Sequence, residues 1–96
     1  MPGRYRIIIL PEFERDVRRL RKRFPRVHAS YEGALQILET DPFNLEKRAN
    51  IAKLVDVRPG EGQFRLRLGD WRLRCDVVGE DVVLHSMRPR SESYRR

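Results

Sequence analysis

A single cysteine, Cys75, stands among 96 residues, so no internal disulfide can form. That suits a reducing cytoplasm, where thiols stay reduced, and the cytoplasm is the expected location. No apolar run approaches the ~20 residues that a membrane-spanning helix needs, and no signal peptide is visible. Neither a membrane nor a small-molecule cofactor is therefore expected as a partner. Repeats and low-complexity linkers are absent too. No Cys, His and carboxylate spacing suits a metal ion, no Gly-rich loop cradles a phosphate, and no serine or cysteine is set for a catalytic triad. Acidic residues are also short: 14 against 21 Lys and Arg, a formal net charge of +7 and a pI of about 10.5. Polyanions are the partners this balance favours, either nucleic acid or an acidic protein.

What remains is one small domain over residues 1–96, able to bury a single modest core. Its most regular stretch is Gln63-Phe64-Arg65-Leu66-Arg67-Leu68-Gly69-Asp70-Trp71-Arg72-Leu73-Arg74-Cys75-Asp76-Val77. Apolar and polar residues alternate on both sides of Gly69-Asp70, the pattern of a half-buried hairpin with a two-residue loop. Leu68 then faces Trp71, Leu66 faces Leu73 and Phe64 faces Cys75, giving one apolar face that includes the cysteine and the tryptophan. The opposite face sets Arg67 against Arg72 and Arg65 against Arg74. Like charges directly across a ladder destabilise it. Either carboxylates elsewhere in the fold neutralise these guanidinium groups, or an anion binds there.

Around the hairpin the chain reads in order. Tyr5 to Leu10 is an isoleucine-rich run expected as a strand covered on both faces, inside a sheet. Pro11 opens a helix whose stripe is Phe13, Val17, Leu20 and Phe24, with acids in its first turns, Arg21, Lys22 and Arg23 in its last, and Pro25 as its stop. Val27, Tyr31, Ala34, Leu35 and Leu38 space a second helix, ended by Asp41-Pro42. Between Phe43 and Glu61, Ile51, Leu54 and Val55 suit either an apolar turn or a short strand. Arg58 to Gly62 reads as a mobile turn. Val82 to Met87 is a last strand, and Arg88 to Arg96 a polar tail. The expected class is α+β, with the order β-α-α-β-β-β. Its small, mostly antiparallel, curved sheet carries the N-terminal two-helix hairpin on one face and leaves the other to the arginines.

The segment Gln63 to Arg74, preceded by Lys53-Leu54 and Pro59-Gly60-Glu61-Gly62, resembles the RelE/ParE superfamily of toxin–antitoxin systems. The closing segment Met87-Arg88-Pro89-Arg90-Ser91-Glu92-Ser93-Tyr94 is similar to that superfamily's C-terminal motif, and the element order matches over nearly the whole chain. The resemblance implies a toxin neutralised by a cognate antitoxin. Its RelE branch implies a metal-independent endoribonuclease that cuts mRNA in the ribosomal A site, with ribosome and mRNA as partners. The alternatives are a ParE-like inhibitor of DNA gyrase and a non-catalytic RNA-binding module on the same fold. By resemblance to RelE, the two strand lysines fall on Arg65 and Arg67, the strand arginine on Arg72, and the C-terminal arginine and tyrosine on Arg88 and Tyr94. Arg74 and Arg90 are expected to add affinity for RNA.

Both family lysines are arginines here, and that changes the chemistry. Metal-free cleavage uses a 2′-hydroxyl as nucleophile, cations around the phosphate, a base, and an acid for the leaving oxygen. Arginine suits the phosphate, because its planar fork pairs two oxygens. It is a poor base, being always protonated. Tyr94 is one replacement, with a reference pKa near 10 that neighbouring cations would depress. His85 titrates in a useful range, but regular strand alternation turns it to the face opposite Arg88. Glu61 is a weaker candidate, and His28, on the second helix, is expected to be structural or solvated.

Overall fold

In a computed structural model that describes residues 4–91, the chain forms β1 (Arg6–Ile9), α1 (Pro11–Arg23), α2 (Val27–Thr40), β2 (Asn50–Lys53), β3 (Phe64–Leu68), β4 (Trp71–Val78) and β5 (Asp81–Pro89). The five strands make one sheet in the order β1-β5-β4-β3-β2. All neighbours are antiparallel except β1 and β5, which run parallel. The α+β architecture is the expected one, and the undecided stretch after α2 supplies an additional edge strand. Ile51 of β2 pairs with Leu66, while Val55 beyond it is 82% exposed and contributes nothing to the core.

Helix α1 begins with proline, has Glu12 and Glu14 in its first turn, and has Arg21, Lys22 and Arg23 in its last. Its charges thus complement the helix dipole. Phe13, Val17 and Leu20 of α1 and Val27, Ala34 and Leu38 of α2 are buried against Leu66, Leu73, Cys75, Val82, Leu84 and Met87 of the sheet. Both helices therefore serve one face. The loop after α2 is built on polar side chains: the Asp41 carboxylate accepts from Leu45 N at 2.8 Å and Glu46 N at 2.9 Å. Asn44 spans the same loop, donating to Ala49 O at 2.7 Å and accepting from Ala49 N at 3.2 Å.

Four expectations are corrected. Strand β1 lies at the sheet's edge, not inside it, and Ile9 is 45% exposed. With both helices on one face, this four-residue strand of Arg6 and three isoleucines has only that face to bury. Strand β5 runs on through Arg88 to Pro89, so Arg88 is a sheet residue rather than the start of a tail. The turn 58–62 is anchored: Gly62 N and Gln63 N donate to the Asp76 carboxylate, each at 3.0 Å, and Arg74 donates to Gly62 O at 2.7 Å. Finally, β5 carries an irregularity where regular alternation was assumed. Arg74 pairs with Ser86 but Cys75 pairs with Leu84, which leaves His85 as an extra, unpaired residue. Such a bulge resets the alternation. His85, Ser86 and Arg88 consequently share the face away from the helices.

Candidate phosphate-binding face

The hairpin has the expected register, with Leu68 opposite Trp71, Leu66 opposite Leu73 and Phe64 opposite Cys75. Gly69 has a φ of 60° while Asp70 keeps a negative one, the combination of a tight II′ turn. Leu73 pairs onward with Met87, and all the residues of that row pack towards the helices. Trp71 stays on the core side, its ring 4.8 Å from that of Phe24. The Cys75 thiol is buried and pushed up to about 12 by that burial and by the charge of Asp76, so it is chemically quiet.

On the other face the cations form rows. Arg67 of β3 lies opposite Arg72 of β4, and Arg72 lies opposite Arg88 of β5. One step along, Arg65 lies opposite Arg74, and Arg74 opposite Ser86. The first row thus sets three guanidinium groups across three adjacent strands. Arg67 and Arg88 are exposed, whereas Arg72 between them is only 6% exposed. Its Nη1 donates to Gly69 O at 2.6 Å and to Trp71 O at 2.8 Å, tying the cation to the hairpin loop. Among the described residues, no carboxylate pairs with Arg67 or Arg72. Removing Arg72 would therefore cost packing as well as charge, since its side chain is buried.

Two carboxylates lie at this face, Asp16 beside Arg88 and Asp76 beside His85, and sequence reasoning missed both. Asp16 of α1 is buried and accepts from Met87 N at 3.0 Å, beyond the end of β1, where the β5 edge would otherwise be bare. The same carboxylate holds Arg19 at 2.9 Å and lies 3.9 Å from Arg88 Nε, a loose counter-charge that leaves Arg88 exposed. Asp76 is the second. Burial disfavours its charge, but N–H donors from Gln63, Gly62 and Gly60 and the nearby His85 outweigh that and hold the carboxyl below its ordinary range. Its signal in the sequence was its phase: it continues the Arg72, Arg74 alternation as the one acid on that face of β4.

Arg74 is half-buried and also donates to Glu61 O at 3.2 Å, so part of its hydrogen-bonding capacity is spent on the turn. Arg90 is exposed just past β5, its backbone N–H on Asp70 O at 2.8 Å. Arg65 is half-buried. Glu61 is exposed on the turn, its Oε1 3.4 Å from Arg58 N, and His28 lies on exposed helix surface 3.4 Å from Glu32. Tyr94 lies outside the described residues, as do Glu92 and Ser93. The structure therefore brings together Arg65, Arg67, Arg72, Arg74 and Arg88 on one face, adds His85 and Asp76 to it, and leaves Tyr94 unplaced.

No family model and no curated protein matches the sequence. Solved structures do match over nearly the whole chain. YafQ from E. coli strain BL21(DE3) superposes with a TM-score of 0.72 at 14% identity, covering 94% of this chain and 98% of its own. A chain of the archaeal RelE–RelB complex from Pyrococcus horikoshii OT3 gives 0.66 at 24% identity, with both chains covered completely. One from the RelB–RelE antitoxin–toxin complex of Methanococcus jannaschii gives 0.56 at 19%, covering 91% and 94%. The likeness first seen in the hairpin and the closing motif thus extends to the entire architecture: the chain has the RelE fold.

Proposed function

We propose that the 96-residue chain is a single-domain toxin of a toxin–antitoxin system, working in the cytoplasm as a ribosome-dependent, metal-independent endoribonuclease on mRNA. The observation that carries this reading is the row Arg67–Arg72–Arg88, where no carboxylate among the described residues pairs with the first two. Such a row is electrostatically unfavourable alone and favourable around a phosphate. During cleavage, charge grows on the phosphate oxygens, and each preorganised donor aimed there is worth about 3–4 kcal/mol, or roughly 10²–10³ in rate. Arg67 and Arg88 are exposed enough to meet the phosphate directly. Arg72, anchored by the loop carbonyls, supplies positive potential beneath it. Arg65, Arg74 and Arg90 extend the field along the strand of nucleotides, and Tyr94, which matches the family's C-terminal tyrosine in the sequence, is the candidate phenol for proton transfer or stacking.

The ribosome's part follows from what arginines cannot do. They stabilise charge but do not align a 2′-hydroxyl for in-line attack, and orientation is worth several kcal/mol in such reactions. A ribosome holding the codon rigidly supplies that alignment. Neutralisation is the complementary expectation. Two of the matched structures are toxin complexes with RelB, and an antitoxin segment of acidic character laid over the cationic face would both pair its charge and block the phosphate site.

The test is cleavage of a defined mRNA by the purified protein, with and without programmed ribosomes. Cuts within the A-site codon, with naked RNA cut poorly, support the reading. Intact transcripts accompanied by DNA breaks in cells would instead indicate gyrase poisoning, and a harmless protein would remove the toxin assignment altogether.

A further inference from the structure

We infer that His85, held by Asp76, accepts the proton of the attacking 2′-hydroxyl; the inference rests on the nuclease reading above. A base is the one part the arginine rows cannot supply. Among the described residues, the polar face and its edge offer the His85 imidazole and the Asp76 and Asp16 carboxylates as proton acceptors; Asp16 is buried, with Oδ2 on Met87 N–H and Oδ1 on Arg19. Asp76 is buried with its oxygens already engaged: Oδ1 takes Gln63 N–H and Oδ2 takes Gly62 N–H. His85 remains.

Three features fit it to the task. The bulge brings the imidazole onto the arginine face, beside Ser86 in the row of Arg65 and Arg74, and three residues along the same strand from Arg88. At ~3.3 Å per residue, that places it within about 10 Å of the Arg88 backbone, close enough for both side chains to attend one nucleotide. Second, Nε2 lies 2.6 Å from Asp76 Oδ2, although out of line for a hydrogen bond, so Nδ1 is the nitrogen left to meet a substrate. Catalytic contacts often align only when substrate is bound. Third, the charges around the ring are of both signs. Asp76 favours the imidazolium that forms; Arg74 on β4, Arg65 on β3 and Arg88 on β5 oppose it, and Glu61 on the turn is bonded back to Arg58 N. Asp76 is thus a positioning residue, a carboxylate that orients a base and stabilises its protonated form.

The step balances. O2′ attacks phosphorus as its proton passes to Nδ1, the O2′–P bond forms and the P–O5′ bond breaks. The departing O5′ takes a proton from water, and the imidazolium returns its own to the hydroxide so made. The products are a 2′,3′-cyclic phosphate and a 5′-hydroxyl.

Single-turnover cleavage on saturating programmed ribosomes tests this with His85→Gln and His85→Asn, ribosome affinity and thermal unfolding being measured alongside. The expected result is a rate lower by roughly 10²–10⁴ at unchanged affinity. In the unsubstituted protein the rate should fall tenfold per pH unit on the acid side, and the variants should lose that limb. Asp76→Asn should move the limb to lower pH, a displacement that a purely structural role would not produce. Variants within about threefold of the parent rate, with the same pH profile, would overturn the inference while leaving the nuclease reading intact. If neither variant folds, a flat acid side in the parent overturns it. No ribosome-stimulated cleavage by the parent would remove the nuclease reading and this inference with it.

Discussion

Replacing Asp76 with asparagine should destabilise the protein more than a surface substitution can. The carboxylate is 3% exposed and accepts two backbone N–H groups at 3.0 Å each, from Gly62 and Gln63. An asparagine fits the space but offers one acceptor, so its NH₂ would confront a backbone N–H and leave that donor unsatisfied. Hydrogen bonds to charged groups contribute about 1.5–3 kcal/mol each, and an orphaned buried donor costs about 1–3 kcal/mol. A loss of roughly 2–3 kcal/mol follows, or about 8–24 °C in Tm for a domain of this size. The turn should also detach. Gly62 has a φ of +82°, and a Cβ there would come within 3.1 Å of Arg74 Cβ, so the backbone is held close over the sheet. Hydrogen exchange at the Gly62 and Gln63 amides should therefore accelerate beyond what the global loss explains. Because Asp76 titrates below its ordinary value in the folded state, its contribution is full above the unfolded carboxyl range and fades as pH falls through the lowered folded value. The variant should thus lose part of the parent's stability gain between acid and neutral pH. Urea melts at several pH values measure this, and a loss under about 0.5 kcal/mol at pH 7 would refute the reasoning.

Arg72→Ala should lower both stability, by about 1–3 kcal/mol from lost burial and orphaned loop carbonyls, and cleavage, so the two must be separated by melting the variant first. Arg74→Ala should weaken ribosome or RNA affinity modestly and leave the chemical step nearly unchanged. Tyr94→Phe should reduce single-turnover cleavage by 10²-fold or more if the phenol moves a proton, and only slightly if the ring stacks. Cys75 should resist thiol reagents in the native protein and react on unfolding, since its thiol is 1% exposed and pushed up to about 12; rapid native labelling would contradict the core position.

Much of this was legible in the chain because period and turn chemistry act locally. The hairpin register followed from alternation about Gly69-Asp70, since slipping one strand by one residue would turn its two arginines towards the core. The helix stripes followed from spacing alone. The place of β1 did not: three isoleucines in a row look alike in a central strand and in an edge strand with one face open. The β5 bulge was equally hidden, because nothing in Leu84-His85-Ser86-Met87 announces an extra residue. Only pairing with β4 shows that Leu84 and Met87, three apart, both face the core. Asp16 was absorbed into the dipole pattern of its helix, although its carboxylate is buried against β5. The site was thus half visible, its arginines and Asp76 by phase, and Asp16 and the imidazole only by tertiary contact.

The central claim is that the Arg67–Arg72–Arg88 row stabilises charge on a phosphate during cleavage rather than merely attracting RNA. Single-turnover cleavage of programmed ribosomes, at saturating protein and with affinity measured separately, tests it most directly. Arg67→Ala and Arg88→Ala should each slow the chemical step by roughly 10²-fold or more at nearly unchanged stability, because both side chains are exposed and pack against little. Arg74→Ala is the reference on the same face. Equal losses for Arg74, Arg67 and Arg88, or losses that vanish at saturation, would show a charge patch with no part in the chemistry.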